Sequence, residues 1–412
     1  MTEVAWIGAA LTAARPQAVA ALLRYFRDLD VAEEAFQEAC LRALKSWPLN
    51  GPPRDPAAWL IFVGRNSALD ELRRRNKHET LPDDDVIPDA ENNESALVER
   101  LDSSAYQDDV LRLLFVCCQP DLPATQQIAV ALRIVSGLSV AEIARAFLVS
   151  EAAMAQRITR AKRAMTESAV AFETPGAVER AERLTTVAAM LYLLFNEGYS
   201  ASGGDAHVRV PLCEEAIRLA RLLLRLFPSE SEIMGLAALM LLQHARAAAR
   251  LDANGNIVLL DDQDRNLWNR ALIAEGLVLV EKAQRLGLVG PYQLQAAIAA
   301  VHARAARPQD TDWGQIDRIY AVLEALQPSP VVTLNRAVAV AKARGPAEAL
   351  QMLEPLAQPL AGYFHYFGVK GALLKELGRA DEARVAFNQA IALARTAAEA
   401  AHIRMNLDRL NT

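Results

Sequence analysis

An all-α chain is predicted by three observations: apolar residues recur every three or four positions, β-branched residues do not alternate, and strand signals are nearly absent. Ala, Leu and Arg dominate. At 412 residues and 52% hydrophobic, the chain can bury cores in two or three domains. A net charge of −6 argues against a wholly basic nucleic-acid binder, so any DNA contact must be local. The cysteines (Cys40, Cys117, Cys118, Cys213) fit no CxxC pairing and stand in apolar helical contexts, which points to packed thiols in a reducing cytoplasm; a redox role for adjacent Cys117-Cys118 is the alternative. No charged-then-apolar leader and no apolar run of membrane-spanning length is present, so a soluble cytoplasmic protein without a membrane partner is expected.

Residues 1 to about 78 form the first helical block, in pieces Glu3–Ala14, Pro16–Arg27, Val31–Ser46 and Pro56–Lys77. The segment Ser46–Pro56, with four prolines and a glycine, is expected to break the last two apart. Within Val31–Ser46, Ala32, Phe36, Ala39 and Ala43 can pack inward, leaving Glu33, Gln37 and Glu38 on the outer sides. These polar side chains either meet a basic helical partner or form a solvated face. Arg65, Arg73, Arg74, Arg75 and Lys77 give the next helix a cationic end suited to phosphates.

An acidic stretch follows from Glu79 to Asp109, eleven Asp or Glu against Arg100 alone. Residues 79–105 are expected to be a flexible linker.

The second block, 106–172, ends in LSVAEIARAFLVSEAAMAQRITRAKRAM, residues 138–165. Ser139 and Glu142 form a capping box for one short helix, with Ile143 and Phe147 facing inward. Phe147-Leu148-Val149 makes a turn, and Ser150 caps a second helix whose positive N-terminus suits Glu151. Met154, Ile158, Ala161 and Met165 form one apolar stripe. Gln156, Thr159, Arg160 and Arg163 fall opposite, flanked by Arg157 and Lys162. This is a helix-turn-helix whose second helix suits the major groove; the alternative is an amphipathic helix with a solvated charged face.

Thr174-Pro175-Gly176 marks a joint, and 177–412 is helical throughout. Its last part repeats at a shift of 34 residues, bringing Leu334–Ala337 onto Gly368–Gly371, Ala349 onto Ala383 and Leu353 onto Phe387. Gly378–Ala383, Phe387 and Ala390 fit the same pattern, which resembles tetratricopeptide (TPR) repeats. Helices around Gln293–Ala305 and Gln315–Leu326 form a looser repeat. Two segments depart from plain helix pairs. Leu191–Asp205 is either a contact loop or small-ligand site, or a helix capped at Gly198 with a solvent loop. Leu260–Trp268 either binds a partner peptide or starts a capped helix.

Chemistry finds no constellation. The six histidines are scattered, and HExxH, GxSxG, phosphate-binding GKS or GKT and dinucleotide-binding glycines are all missing. Asp261, Asp262 and Asp264 lack the glycine and closing glutamate of an EF-hand. Neither an enzymatic activity nor a cofactor or metal is expected.

Residues 1–172 resemble an extracytoplasmic-function (ECF) sigma factor of the sigma-70 family. Asp30–Leu44 resembles the helix that docks on the RNA polymerase β′ clamp, which assigns Asp30, Glu33, Gln37, Glu38 and Arg42 to core polymerase. Ala39 and Cys40 stand where Thr and an aromatic are usual, and Leu44 replaces a frequent Trp. Trp59-Leu60 through Arg65-Asn66, Asp70 and Arg73-Arg74-Arg75 resemble the promoter-opening helix. Trp47, Asn50 and Arg54 lie where family members hold a loop that captures a flipped −10 base. The helix-turn-helix resembles the −35 reader, which gives Gln156, Arg157, Thr159, Arg160, Lys162 and Arg163 to promoter DNA. The resemblance also implies that the acidic linker threads the polymerase, mimicking nucleic acid, unless it is a spacer only. The long helical extension resembles that of an ECF subgroup in which it influences activity in cis, with a protein or small-ligand partner of its own. A rival reading is a stand-alone helix-turn-helix regulator with a TPR-like sensor.

Overall fold

The computed structural model describes residues 5–51, 53–76, 103–118, 121–147, 149–167, 177–199, 210–252, 258–394 and 397–410. Among these there are α-helices and short 3-10 turns, and no β-strand. The chain divides into two units, Met1–Leu193 and Leu194–Thr412. Residues 79–102 of the expected linker and the turn residue Leu148 lie outside the described residues, and residues 103–105, expected in the linker, are already helical.

In the first unit, α1 (Ala5–Phe26), α2 (Leu29–Asn50) and α3 (Pro56–Asn76) pack on one another. Two expectations are corrected here. The pieces expected on either side of Arg15 are one helix with Pro16 inside it. The proline-rich break is shorter than expected, because α2 runs through Pro48 to Asn50 and ends at Gly51, whose φ is 79°. Proline costs a helix one backbone bond and crowds the preceding turn, a penalty that tertiary burial can override. At position 48 the helix continues while Trp47 is buried beside it. Asp28 and Asp55 cap α2 and α3, each accepting from two backbone N–H groups at 2.9–3.1 Å.

Next come α4 (Ser103–Val116), α5 (Ala124–Ile134), α6 (Val140–Ala146) and α7 (Glu151–Glu167). Helices α5 and α6 pack on α7, and α4 packs on α1. The division between units falls within α8 (Ala177–Tyr199), and Gly198, the alternative cap for this segment, lies inside the helix one residue before its end. Its first half belongs to the first unit, where the Arg183 guanidinium lies over the Phe115 ring at 5.2 Å.

The second unit continues with α9 (Val210–Leu226), α10 (Ser231–His244), α11 (Arg270–Arg285) and α12 (Pro291–Arg304). Helix α10 is apolar on nearly every side and is packed by the other three, a central buried helix. Then follow α13 (Trp313–Leu326), α14 (Pro330–Arg344), α15 (Pro346–Leu353), α16 (Phe364–Glu376), α17 (Ala380–Leu393) and α18 (Ala397–Asp408), each packed mainly on its neighbours in sequence. Nearest-neighbour stacking of this kind is the architecture of a solenoid. Helices α16 and α17 each start 34 residues after α14 and α15, the repeat read from the sequence. Leu334, Ala337, Ala349 and Leu353 share one buried cluster, and Ala383, Phe387 and Ala390 the next. Gly371 lets Phe387 in: a Cβ there would stand 2.5 Å from the ring. The segment 260–268 forms two 3-10 turns, and the helix after it is capped at Asn269, which accepts from the Ala271 and Leu272 N–H groups.

Candidate promoter-DNA and polymerase interface

The helix-turn-helix is built as its caps specify. Ser139 Oγ accepts from the Glu142 N–H at 3.2 Å, and a Glu142 oxygen accepts from the Ser139 N–H at 2.8 Å. The hydrogen bonds from Ser139 hold the Glu142 carboxyl below its usual pKa. Ser150 Oγ accepts from the Ala153 N–H at 3.2 Å and starts α7. Ile143 and Phe147 are buried, and so is the whole stripe Met154, Ile158, Ala161 and Met165. With that side anchored, α7 turns Gln156, Thr159, Arg160 and Arg163 outward, all exposed, while Arg157 and Lys162 are half-buried at the flanks. Thr159 spends its hydroxyl proton on the Ala155 carbonyl, which leaves its oxygen as an acceptor.

In the first helical block, Gln37 and Arg42 are exposed and Glu38 is half-buried. Glu38 holds Arg42 at 3.1 Å along the helix. Leu41, Leu44 and Leu49 are exposed on the same helix, so Leu44, which stands where the family often has Trp, is a surface residue. Apolar side chains standing among polar ones on an outward face were the available signal of a docking surface, and the sequence reading passed over them. Trp47 is not presented for base capture: it is buried, stacked on Trp6 at 6.0 Å and edge-on to Trp59 at 5.4 Å. Asn50 and Arg54 are exposed beside it, with Asn50 Nδ2 donating to Ser46 Oγ at 3.2 Å. On α3, Arg65 lies over the Tyr25 ring at 5.6 Å and Asn66 is half-buried. The helical backbone of α3 carries Arg73, Arg74 and Arg75, whose side chains lie outside the described residues.

Two residues assigned to different partners are brought together. Glu33, expected on an outer side, is buried at 6% exposure. Its carboxylate lies between Arg15 Nη2 at 3.2 Å and Lys162 Nζ at 2.5 Å, and Lys162 also reaches Asp30 at 3.3 Å. Arg15 Nε donates to the Ile134 carbonyl at 2.9 Å and its guanidinium lies over Phe36 at 4.9 Å. Gly137, at φ 74°, admits the Arg15 side chain, since a Cβ there would stand 2.8 Å from Arg15 Cδ. Burial alone would lower the Lys162 pKa, but its bonds to Glu33 and Asp30 outweigh that and raise it. Burial lowers the pKa of Arg15, with Glu33 opposing. Nearby, Asp109 holds Arg112 at 3.1 Å and Arg24 at 3.3 Å. The sequence reading missed Arg15 because it lies in an apolar helix, although a lone cation between Ala14 and Pro16 is itself a signal for a buried partner.

The thiols are all free. Cys117, Cys118 and Cys213 are buried and Cys40 is half-buried. Burial pushes Cys40 up to about 11 and Cys118 and Cys213 up to about 12. They are protonated and unreactive at neutral pH. Among the described residues, no group of three His, Cys, Asp or Glu could hold a metal ion, and no helix is long and apolar enough to cross a membrane.

Comparison with known proteins matches the same segments. Residues 11–78 match the family described as Sigma-70 region 2, and residues 113–165 match Sigma-70, region 4. Residues 183–284 match a family of unknown function, DUF6596. The uncharacterized protein R00370 of Rhizobium meliloti (strain 1021) is 66% identical over 410 residues, covering 100% of this chain and 97% of the relative. The ECF RNA polymerase sigma factor SigM of Mycobacterium tuberculosis, in strains Erdman and H37Rv, is 32% identical over 136 residues, or 33% of this chain and 63% of SigM. The chain thus carries sigma-70 region 2 and region 4 domains in order, is similar to an ECF sigma factor over a third of its length, and continues into a helical extension that includes the DUF6596 domain.

Proposed function

We propose that the chain is an ECF-type sigma factor that directs core RNA polymerase to specific promoters, with its activity modulated in cis by the helical C-terminal region. The observation that carries the reading is α7: one face buried by a capped helix-turn-helix, the other lined with Gln156, Arg160 and Arg163. In this reading Gln156, Arg160 and Arg163 face −35 base edges, with Arg157 and Lys162 on phosphates. Asn50, Arg54, Arg65, Asn66 and the cationic end of α3 serve the −10 region. Gln37, Glu38 and Arg42, with exposed Leu41 and Leu44, form the surface for the polymerase clamp. Asp30, Glu33 and Lys162 belong to both surfaces and are engaged with each other, so docking on either partner requires that contact to exchange.

Reconstituted transcription tests the reading. Purified protein, bacterial core polymerase and fragmented genomic DNA are combined, and RNA 5′ ends are sequenced. Starts that require the protein and share two upstream boxes are expected. DNA binding without any such start would favour a stand-alone regulator and overturn the assignment.

A further inference from the structure

At one end of the second unit, the chain between α10 and α11 gathers three arginines. Its two ends are tied by the Asn269 N–H donating to the Ala245 carbonyl at 2.8 Å. Arg250 lies over the Tyr199 ring at 3.6 Å and donates to the Tyr199 carbonyl. Arg246 donates to Tyr199 Oη at 3.1 Å and to Gln243 Oε1. Arg265 lies over the Trp268 ring at 4.5 Å, and its Nη1 donates to the carbonyls of His302 at 2.7 Å and Ala305 at 2.6 Å. Every one of these acceptors is neutral.

The carboxylates whose charge reaches Arg265 are Asp261 and Asp310, and each is committed elsewhere. Asp261 pairs with Lys342 at 3.1 Å, and Asp310 with Arg307 at 2.8 Å. Arg265 is only 8% exposed, yet its Nε and Nη2 have no hydrogen-bond partner, nor have Trp268 Nε1 and His302 Nδ1. Burial, followed by the charges of Arg246 and Arg265 and opposed by Asp261, depresses His302 to about 4. A desolvated cation without a counter-charge is costly, and a guanidinium presents a planar fork of donors that fits an oxyanion.

We propose that Arg246, Arg250 and Arg265 form a binding site for a small organic oxyanion, a carboxylate- or phosphate-bearing metabolite, in the C-terminal region. The burial of Arg265 favours a small ligand over a polymer, because a nucleic-acid backbone cannot follow it below the surface. The site stands whether or not the chain acts as a sigma factor, and its test does not use transcription.

The experiment is thermal unfolding and calorimetric titration of the full chain with inorganic phosphate, pyrophosphate and citrate, at constant ionic strength against chloride. Saturable stabilisation by at least one probe is expected, with citrate and the phosphates separating the two ligand chemistries. Arg265→Gln releases the His302 and Ala305 carbonyls and risks misfolding, so the decisive variants are Arg246→Gln and Arg250→Gln, with helicity checked by circular dichroism. Each should weaken binding by about tenfold or more while leaving the fold intact. Stabilisation that follows ionic strength alone, no binding of any probe, or unchanged affinity in both folded variants would overturn the proposal.

Discussion

Replacing Glu33 with glutamine tests whether the first unit holds in check the helix proposed to read DNA. The Glu33 side chain is 8% exposed and lies between Arg15 at 12% and Lys162 at 26%, so solvent screens this triad weakly. A hydrogen bond to a charged group contributes about 1.5–3 kcal/mol, and Glu33 makes two. The glutamine side chain would keep the shape and one acceptor oxygen but lose the charge, so a net loss of about 3 kcal/mol is a fair central value. That is about two decades in the ratio of closed to open contact. Lys162 would retain exposed Asp30, a weak surface pair. Two measurements follow on the full chain. The first unit should melt lower, by about 2–4 °C per kcal/mol for a body of this size. Binding of a labelled −35 duplex, followed by fluorescence anisotropy at fixed salt, should tighten, by about tenfold or more, because Lys162 no longer leaves a buried carboxylate to reach a phosphate. Lys162→Ala breaks the same contact but also removes the phosphate donor, so it should melt lower without binding more tightly. Lower melting of Glu33→Gln with unchanged DNA affinity would refute the claim that this contact competes with DNA.

Three further outcomes are expected. Arg160→Ala should relax one −35 position by about 1–3 kcal/mol, whereas Arg157→Ala should weaken all promoters alike; a promoter-library binding assay separates them, and identical profiles would remove the division of roles. Gly371→Ala should destabilise the second unit by about 1–3 kcal/mol through the clash with Phe387, while Gly368→Ala, whose Cβ would meet Ile403 at an ordinary 3.6 Å, should not; urea unfolding decides. His302 has a folded pKa of about 4 against an ordinary 6.5, so the unfolded chain binds its proton first. Its contribution is therefore full above pH 6.5 and is lost progressively as pH falls toward 4, a slope that His302→Gln should flatten in melting curves taken across that window.

Most of the helices were legible because their signals are local. Ser139 and Glu142, three residues apart, specify their own capping box, and the Met154–Met165 stripe specifies which side of α7 is inside. The repeat at 34 residues was legible for the same reason, since small residues opposite Phe387 and Leu353 are needed wherever two helices approach closely. Boundaries failed where tertiary packing overrode a local preference, as at Pro16 and Pro48. The pairing of Glu33 was not legible at all. It lies about 100° round the helix from Ala32, on the edge of the apolar stripe, and helical period alone cannot say whether an edge residue is covered. What covers it comes from Arg15 and Lys162, and the latter is 129 residues away. The helical wheel places a charge on a face; only the fold supplies its partner.

The partners of the half-buried cations then separate structural charges from charges kept for a ligand. In the first unit, Arg15 has Glu33 and Arg112 has Asp109. In the second unit, Arg336 has Asp317 and Glu324, and Arg221 has Glu275. These cations need nothing from outside, and neutral replacement of one should cost stability before it costs binding. Arg65 differs: its guanidinium lies on the Tyr25 ring, in the helix proposed to meet promoter DNA. Arg250 and Arg265 differ in the same way, lying on aromatic rings and donating to neutral oxygens, and Arg246 donates to the neutral oxygens of Tyr199 and Gln243. A stacked arginine is held in place without its charge being neutralised, and so remains ready for an anion. By that criterion the two proposed anion sites are distinct, one for a polymer on the sigma regions and the other for a small ligand in the C-terminal region. Their independence is testable: neutralising Arg246 should leave −35 duplex affinity unchanged, and neutralising Arg160 should leave oxyanion binding unchanged.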